Sequence, residues 1–247
     1  NIKRKKMVNM KKRIAIIPAR GNSKRIPNKN ILNFCGKPMI SYVLNTIQKS
    51  NLFDVIHVST DSNQICEKVE KLGFPVDFLR PAELADDYTP IMPVLKHVCY
   101  EYKKQGVEFD QVWMITPTSP FLESKDFFDA DTLMDEADGQ AQLLAVSEYQ
   151  VPIEWAFKRS TDGALYPVKE GMFSIRSQDL EPKYFDVGSL AVFPAEIVMN
   201  SEGAGSDSGF IGMVLPKHKA IDIDTSDDWE FAEALYMGLK KSKNQKY

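Results

Sequence analysis

Cysteine and histidine are scarce in this 247-residue chain, at three each. Cys35, Cys66 and Cys99 are odd in number and far apart, with no CxxC or Cys/His spacing, which argues against zinc and reads as idle or buried thiols of a reducing compartment. His57, His97 and His218 show neither triad nor metal spacing; His97, among Leu95, Val98 and Cys99, reads as structural. No stretch approaches the roughly 18 apolar residues that a membrane span requires. A net charge of −3 argues against a general nucleic-acid surface. The phosphate-loop pattern GxxxxGK[ST] is missing, and GxGxxG is missing too, because Gly21 stands alone.

What is present suits a sizeable core: 43% hydrophobic residues, with 14 Phe, 9 Tyr and 3 Trp. That length fits one large α/β domain or two small ones. Basic residues cluster near 3–13 and 20–37. The apolar run Ile14–Ile17 is too short for the core of a signal peptide and ends in proline and charge. The expectation is a cytoplasmic protein with a basic arm over residues 1–10, whose natural start is Met7 or Met10, and a single catalytic domain over 11–240.

Strand-like and helix-like runs alternate through the first two-thirds. Strands are expected at Arg13–Pro18, Asp54–Thr60, Val76–Leu79, Val112–Thr116 and Leu143–Ser147. Helices are expected at Pro38–Ser50, from the Ser62 cap to Leu72, at Thr89–Lys104 with Pro90 in its first turn, and at Ser124–Ala137. This rhythm predicts an α/β fold, Rossmann-like, with a mostly parallel sheet covered on both faces and ligands beyond the carboxyl ends of strands. It breaks over about 149–187, which reads as an irregular excursion. Strands return at Gly188–Phe193 and Phe210–Leu215, and a helix starts near Ser226 with Trp229, Ala232, Leu235, Tyr236 and Leu239 on one stripe.

Two constellations carry chemistry. The loop after the first strand, Arg20 to Asn30, holds Arg20, Lys24, Arg25 and Lys29, with Gly21, Asn22, Ser23, Asn28 and Asn30. Convergent cations and backbone N–H groups at a strand end suit a polyphosphate, although a solvated charged loop has the same composition. Asp222-Ile223-Asp224 places two carboxylates at i and i+2, on one side of an extended strand, where they can hold Mg²⁺ with nucleotide phosphates completing the shell. The dull reading is an exposed strand before a capped helix. Arg80, leaving a strand end before Pro81, could meet a base or phosphate, or pair with Glu83 or Asp86. Thr116 and Thr118, in Thr116-Pro117-Thr118-Ser119-Pro120, offer small hydroxyls beside prolines, and Arg176, in Arg176-Ser177-Gln178-Asp179-Leu180, could clamp a carboxylate.

Taken in order, Ile16-Ile17-Pro18-Ala19-Arg20-Gly21-Asn22-Ser23-Lys24-Arg25-Ile26-Pro27-Asn28-Lys29-Asn30, Val58-Ser59-Thr60-Asp61, Leu79-Arg80-Pro81, Pro117-Thr118-Ser119-Pro120 and Ile221-Asp222-Ile223-Asp224 resemble the CMP-sialic acid synthetases, the acylneuraminate cytidylyltransferases. The resemblance runs from about Lys12 to Ala234. Glu154–Ser160, Arg176–Leu180 and Cys35–Ile40 are most similar to the branch that activates pseudaminic acid. Departures fall at Thr116, where sialic acid enzymes carry Gln, and at Tyr184-Phe185 and Ser189-Leu190.

The resemblance implies a fold of the nucleotide-diphospho-sugar transferase type and a CTP-dependent nucleotidyltransferase. Arg20, Ser23, Lys24 and Lys29, with Ala19 and Asn22 alongside, would hold the CTP phosphates. Asn30 and Arg80 would contact the nucleoside. Asp222 and Asp224 would bind Mg²⁺, and Arg176 and Gln178, with Thr116 and Thr118, would receive a nonulosonic acid. Arg20, Lys24, Asp222 and Asp224 would be catalytic. The resemblance also implies a homodimer, with the excursion crossing to the partner. Two other functions fit the same residues: a DxD glycosyltransferase, which needs no triphosphate cradle, and a nucleotide-sensing module that binds CTP without turnover.

Overall fold

The computed structural model describes residues 11–137 and 139–244. The basic arm over 1–10, with Met7 and Met10, lies outside the described residues. Among the described residues a six-stranded sheet forms the spine. Its strands are β1 (Arg13–Pro18), β2 (Val55–Ser59), β3 (Gln111–Ile115), β4 (Gln142–Glu148), β5 (Tyr184–Pro194) and β6 (Phe210–Val214). Their order is β6-β4-β5-β3-β1-β2. β1 pairs in parallel with β2 and β3, and β6 with β4. β5 runs antiparallel between β3 and β4. The sheet is therefore mostly parallel, as expected, with one reversed strand inside it. That strand starts at Tyr184, so the excursion ends earlier than residue 187.

β1 shows why both faces are covered. Its four central residues, Ile14 to Ile17, are fully buried, and successive side chains point to opposite faces. Ala15 and Ile17 pack with Val43, Leu44 and Ile47 of α1 (Met39–Ser50), Val69 of α2 (Asn63–Glu70) and Phe127 and Ala130 of α4 (Ser124–Glu136). Ile14 and Ile16 pack on the other face with Leu95 and Val98 of α3 (Ile91–Lys104) and Val198 of α5 (Ala195–Asn200). A third cluster, beyond the strand ends, joins Ile26, Phe34, Phe121 and Ile223 to Trp229 and Ala232 of α6 (Ser226–Asn244).

Local signals explain most boundaries. The Ser62 hydroxyl accepts the Ile65 N–H at 3.4 Å and starts α2. A reciprocal capping box between Glu123 and Asp126 starts α4. Pro90 sits just before α3, not in its first turn; Pro93 occupies that turn, where no intrahelical bond is lost. Val76–Leu79 is not a strand. Pro75 has no N–H to donate, and the backbone that follows the segment meets the edge of the sheet where the Arg80 N–H donates to the Thr60 carbonyl at 2.7 Å.

Asp222–Asp224 is likewise outside any strand: it is an extended, unladdered segment between a turn at Lys217–Lys219 and α6. Ile223, fully buried, pins its middle. The excursion holds a small hairpin, Phe157–Arg159 against Leu165–Pro167, and short 3₁₀ turns. All three cysteines are free, and burial pushes the Cys99 thiol up to about 12. No helix among the described residues is long and apolar enough to cross a membrane.

Candidate active site

β1 stops at Pro18, and the loop beyond it is fastened to β2 and its extension. The Ala19 N–H donates to the Ser59 carbonyl at 2.9 Å, and the Gly21 N–H to Asp61 Oδ1 at 2.8 Å. A Cβ built on Gly21 would stand 2.8 Å from Ser62 Cβ, so only glycine lets the loop lie this close to the start of α2. Asn30, buried, donates from its amide to the Arg20 carbonyl at 3.0 Å and closes the loop on itself. Its role here is to shape the cation loop. Asn22 stays exposed, and the Ser23 N–H turns back to the Gly21 carbonyl.

The cations divide between two acidic partners. Arg20 donates to Asp87 Oδ1 at 2.7 Å and to the Asp86 carbonyl at 2.8 Å, and Lys24 pairs with the other Asp87 oxygen. Hydrogen bonds from Lys24, then from Arg20, hold the Asp87 carboxyl below its ordinary value. Arg25 meets Asp224 Oδ2 at 2.8 Å, and Lys29 meets Asp224 Oδ1 at 3.0 Å. Lys29 also donates to the Ile223 carbonyl at 2.7 Å, taking the acceptor that a neighbouring strand would use. The cation loop and the carboxylate pair, some 195 residues apart in sequence, thus form one site.

Asp222 is exposed at the edge of this group, and its carboxyl is pushed up by desolvation first and by the Asp224 charge second. Two hard oxygen donors, the Asp222 carboxyl pushed up in part by its neighbour's charge, suit a divalent cation. Among the described residues no group of three or more His, Cys, Asp or Glu side chains gathers to hold a metal. The pair therefore fits a cation that takes the rest of its shell from a phosphate-bearing ligand.

Arg80 is buried and does not pair with Glu83 or Asp86. Its Nε donates to Ser59 Oγ at 3.1 Å and one terminal nitrogen to the Ser59 carbonyl at 2.6 Å. Burial lowers its pKa to about 10, with the Asp61 charge opposing, so it stays charged at neutral pH. Thr116 shares a hydrogen bond with Ser119 at 2.7 Å and leans on the Gly188 carbonyl; Thr118 is half-buried nearby in the chain. Arg176 lies on the excursion in a bidentate pair with Asp179, at 2.8 and 3.1 Å, and Gln178 is exposed beside it. No contact within the described chain brings either to the cation loop. Sequence reasoning missed Asp87 and the part played by Arg25; the adjacent acids Asp86-Asp87 just after Arg80 were the available signal.

The profile of a family described as Cytidylyltransferase matches residues 14–139. A pseudaminic acid cytidylyltransferase of Campylobacter jejuni is 34% identical over 225 residues, 91% of this chain and 96% of that protein. This chain belongs to the cytidylyltransferase family. A CMP-N,N'-diacetyllegionaminic acid synthase of Legionella pneumophila is 31% identical over 90% of this chain and 95% of that protein. Among solved structures, a CMP:2-keto-3-deoxy-manno-octonic acid synthetase complexed with CTP aligns with a TM-score of 0.66 at 17% identity, covering 92% of this chain and 99% of that one. At that identity the likeness speaks for the fold.

Proposed function

We propose that this cytidylyltransferase transfers CMP from CTP to a nonulosonic acid, pseudaminic acid first among them, and releases pyrophosphate. The observation that carries the reading is the contact of Arg25 and Lys29 with Asp224: phosphate-type cations and metal-type carboxylates share one site at the end of β1. A glycosyltransferase, whose donor is already activated, has no need of that cradle.

In this reading the anomeric hydroxyl of the sugar attacks the α-phosphorus, its proton passes to solvent, and the bond from the α-phosphorus to the bridging oxygen breaks as pyrophosphate leaves. Arg20 and Lys24 leave Asp87 and close on the phosphates, where their charge counts most as negative charge builds in the transition state. Lys29, held by the Ile223 carbonyl, stays beside Asp224 and balances charge there. Arg80, locked to Ser59, presents a fixed guanidinium face to the nucleoside. Mg²⁺, held by Asp222 and Asp224, would neutralise the phosphate oxygens. The work of the chain is positioning and electrostatics.

The excursion exposes Val151, Phe157, Leu165, Tyr166 and Phe173 together with Arg176. Covering by a second copy would bury these side chains and carry Arg176 and Gln178 to the partner's sugar site, which supports a homodimer. A cytoplasmic setting, with access to CTP, completes the reading.

The test is pyrophosphate release from CTP and Mg²⁺ with pseudaminic, legionaminic or neuraminic acid. Release is expected, fastest with pseudaminic acid, and Asp224→Ala abolishes it. No release with any of the three, or release that survives full chelation of metal, overturns the reading.

A further inference from the structure

A second cavity, of about 550 Å³, shares no residue with the site above. α1 lines it with a stripe at helical spacing, Tyr42, Asn45, Thr46 and Lys49. α6 adds Tyr236, Leu239 and Lys240, and the Phe121-Leu122 segment completes an apolar and aromatic patch. The rings of Tyr42 and Tyr236 are 5.1 Å apart, and those of Phe121 and Tyr236 6.2 Å. The size falls within the range of small-molecule sites, roughly 300–1,000 Å³.

The charge of this lining is one-sided. Four lysines face a single acid, Glu123. Glu123 already accepts from Lys219, which is tied to Asp126 as well. Lys37, Lys49 and Lys240 have no ion pair among the described residues. The Tyr42 and Thr46 hydroxyls are turned to backbone carbonyls, Tyr42 to Phe34 at 2.7 Å and Thr46 to Tyr42 at 3.0 Å. The Asn45 amide likewise donates to the Ser41 carbonyl, so the groups left to meet a guest are ammonium ions, ring faces and His218. Unpaired like charges around an aromatic patch favour a multivalent anion with a ring or carbon body.

We propose that this cavity is a second binding site, for a soluble phosphorylated metabolite of nucleotide or sugar-phosphate size, distinct from the CTP site. It is coupled to the first site by packing. Tyr42, Tyr236 and Leu239 pack against the cluster that holds Phe121, Trp229 and Ile223, and Ile223 stands between the two carboxylates. A guest that braces α1 against α6 therefore acts on the placement of Asp222 and Asp224, and the CTP affinity responds.

The experiment is calorimetric titration of the full chain with inorganic pyrophosphate, AMP and fructose 1,6-bisphosphate, each with saturating CTP and Mg²⁺ present. At least one probe is expected to bind. The triple variant Lys37→Ala/Lys49→Ala/Lys240→Ala should weaken that binding at least tenfold, while its own thermal midpoint does not fall, because like-charge repulsion has been removed. The bound probe should also shift the CTP dissociation constant in the wild type and not in the triple variant. Absence of binding by all three probes, or equal binding by the triple variant, overturns the site; an unmoved CTP constant overturns the coupling. Should CTP itself fail to bind, the proposed function falls, yet the lysine dependence of probe binding still decides this proposal.

Discussion

Asp126→Ala tests how the carboxylate segment is held in place. The Lys219 ammonium, with its side chain 8% exposed, donates to both oxygens of Asp126, 7% exposed, at 2.8 and 2.7 Å, and to Glu123 at 3.0 Å. Removing one partner of a buried pair costs about 3–5 kcal/mol, because a charge is left without compensation. Glu123 remains, half exposed, and softens the loss. The variant also loses the Asp126 half of the capping box, in which its carboxylate accepts the Glu123 N–H at 2.7 Å. The net expectation is about 3 kcal/mol.

For a chain of this length each kcal/mol shifts the midpoint by about 2–4 °C, so scanning calorimetry should show a fall of about 6–12 °C. The double variant Asp126→Leu/Lys219→Met removes both charges together and should recover most of that loss. Turnover is a second readout: Lys219 ends the turn that leads into Ile221–Asp224, so kcat/KM for CTP should drop in Asp126→Ala and rise again in the double variant. A single variant within about 1 kcal/mol of wild type, or a double variant no better than the single, would refute this account.

His57 supplies a pH test: it is buried, with Nδ1 3.2 Å from the Tyr102 hydroxyl and its ring stacked on Phe78, and burial lowers its pKa to about 4. The unfolded chain takes up a proton near pH 6.5 and the folded chain does not. Stability is therefore lost as pH falls from about 6.5 towards 4, by up to about 3 kcal/mol, and urea titrations of His57→Gln should show a flatter slope over that window. Gly21→Ala puts a methyl group 2.8 Å from Ser62 Cβ; weaker CTP binding with a near-normal thermal midpoint is expected, and unchanged binding would show that the loop yields freely. Asp87→Asn removes the anion that occupies Arg20 and Lys24, so direct titration should show tighter CTP and pyrophosphate binding; weaker binding would instead make Asp87 a scaffold of the loop.

Much of the fold was legible because its signals are local. The run Ile14–Ile17 ending at Pro18 announced a buried central strand, Ser62 announced the start of α2, and the stripe Trp229–Leu239 announced the buried face of α6. Pairing partners are not local. Nothing in Tyr184–Pro194 marks it as a strand that enters reversed between β3 and β4, and nothing in Val76–Leu79 tells that its β-like composition will find no neighbour. The extended shape inferred for Asp222–Asp224 was right and its strand status was not: Ile223 supplies the burial, while Lys29 takes the carbonyl that a ladder would need.

The residue types and their order, by themselves, determined the chemistry on offer: hard cations in one loop, paired carboxylates in another, and no thiol or histidine cluster to compete with them. Tertiary structure decided which of these meet. Arg25 and Lys29 reach Asp224 across roughly 195 residues, Arg20 and Lys24 reach Asp87 across more than 60, and Arg80 turns away from nearby acids to Ser59. The physical reason is that charge and size are properties of single residues, whereas a hydrogen bond of 2.8 Å depends on where the backbone of the whole sheet has placed both ends.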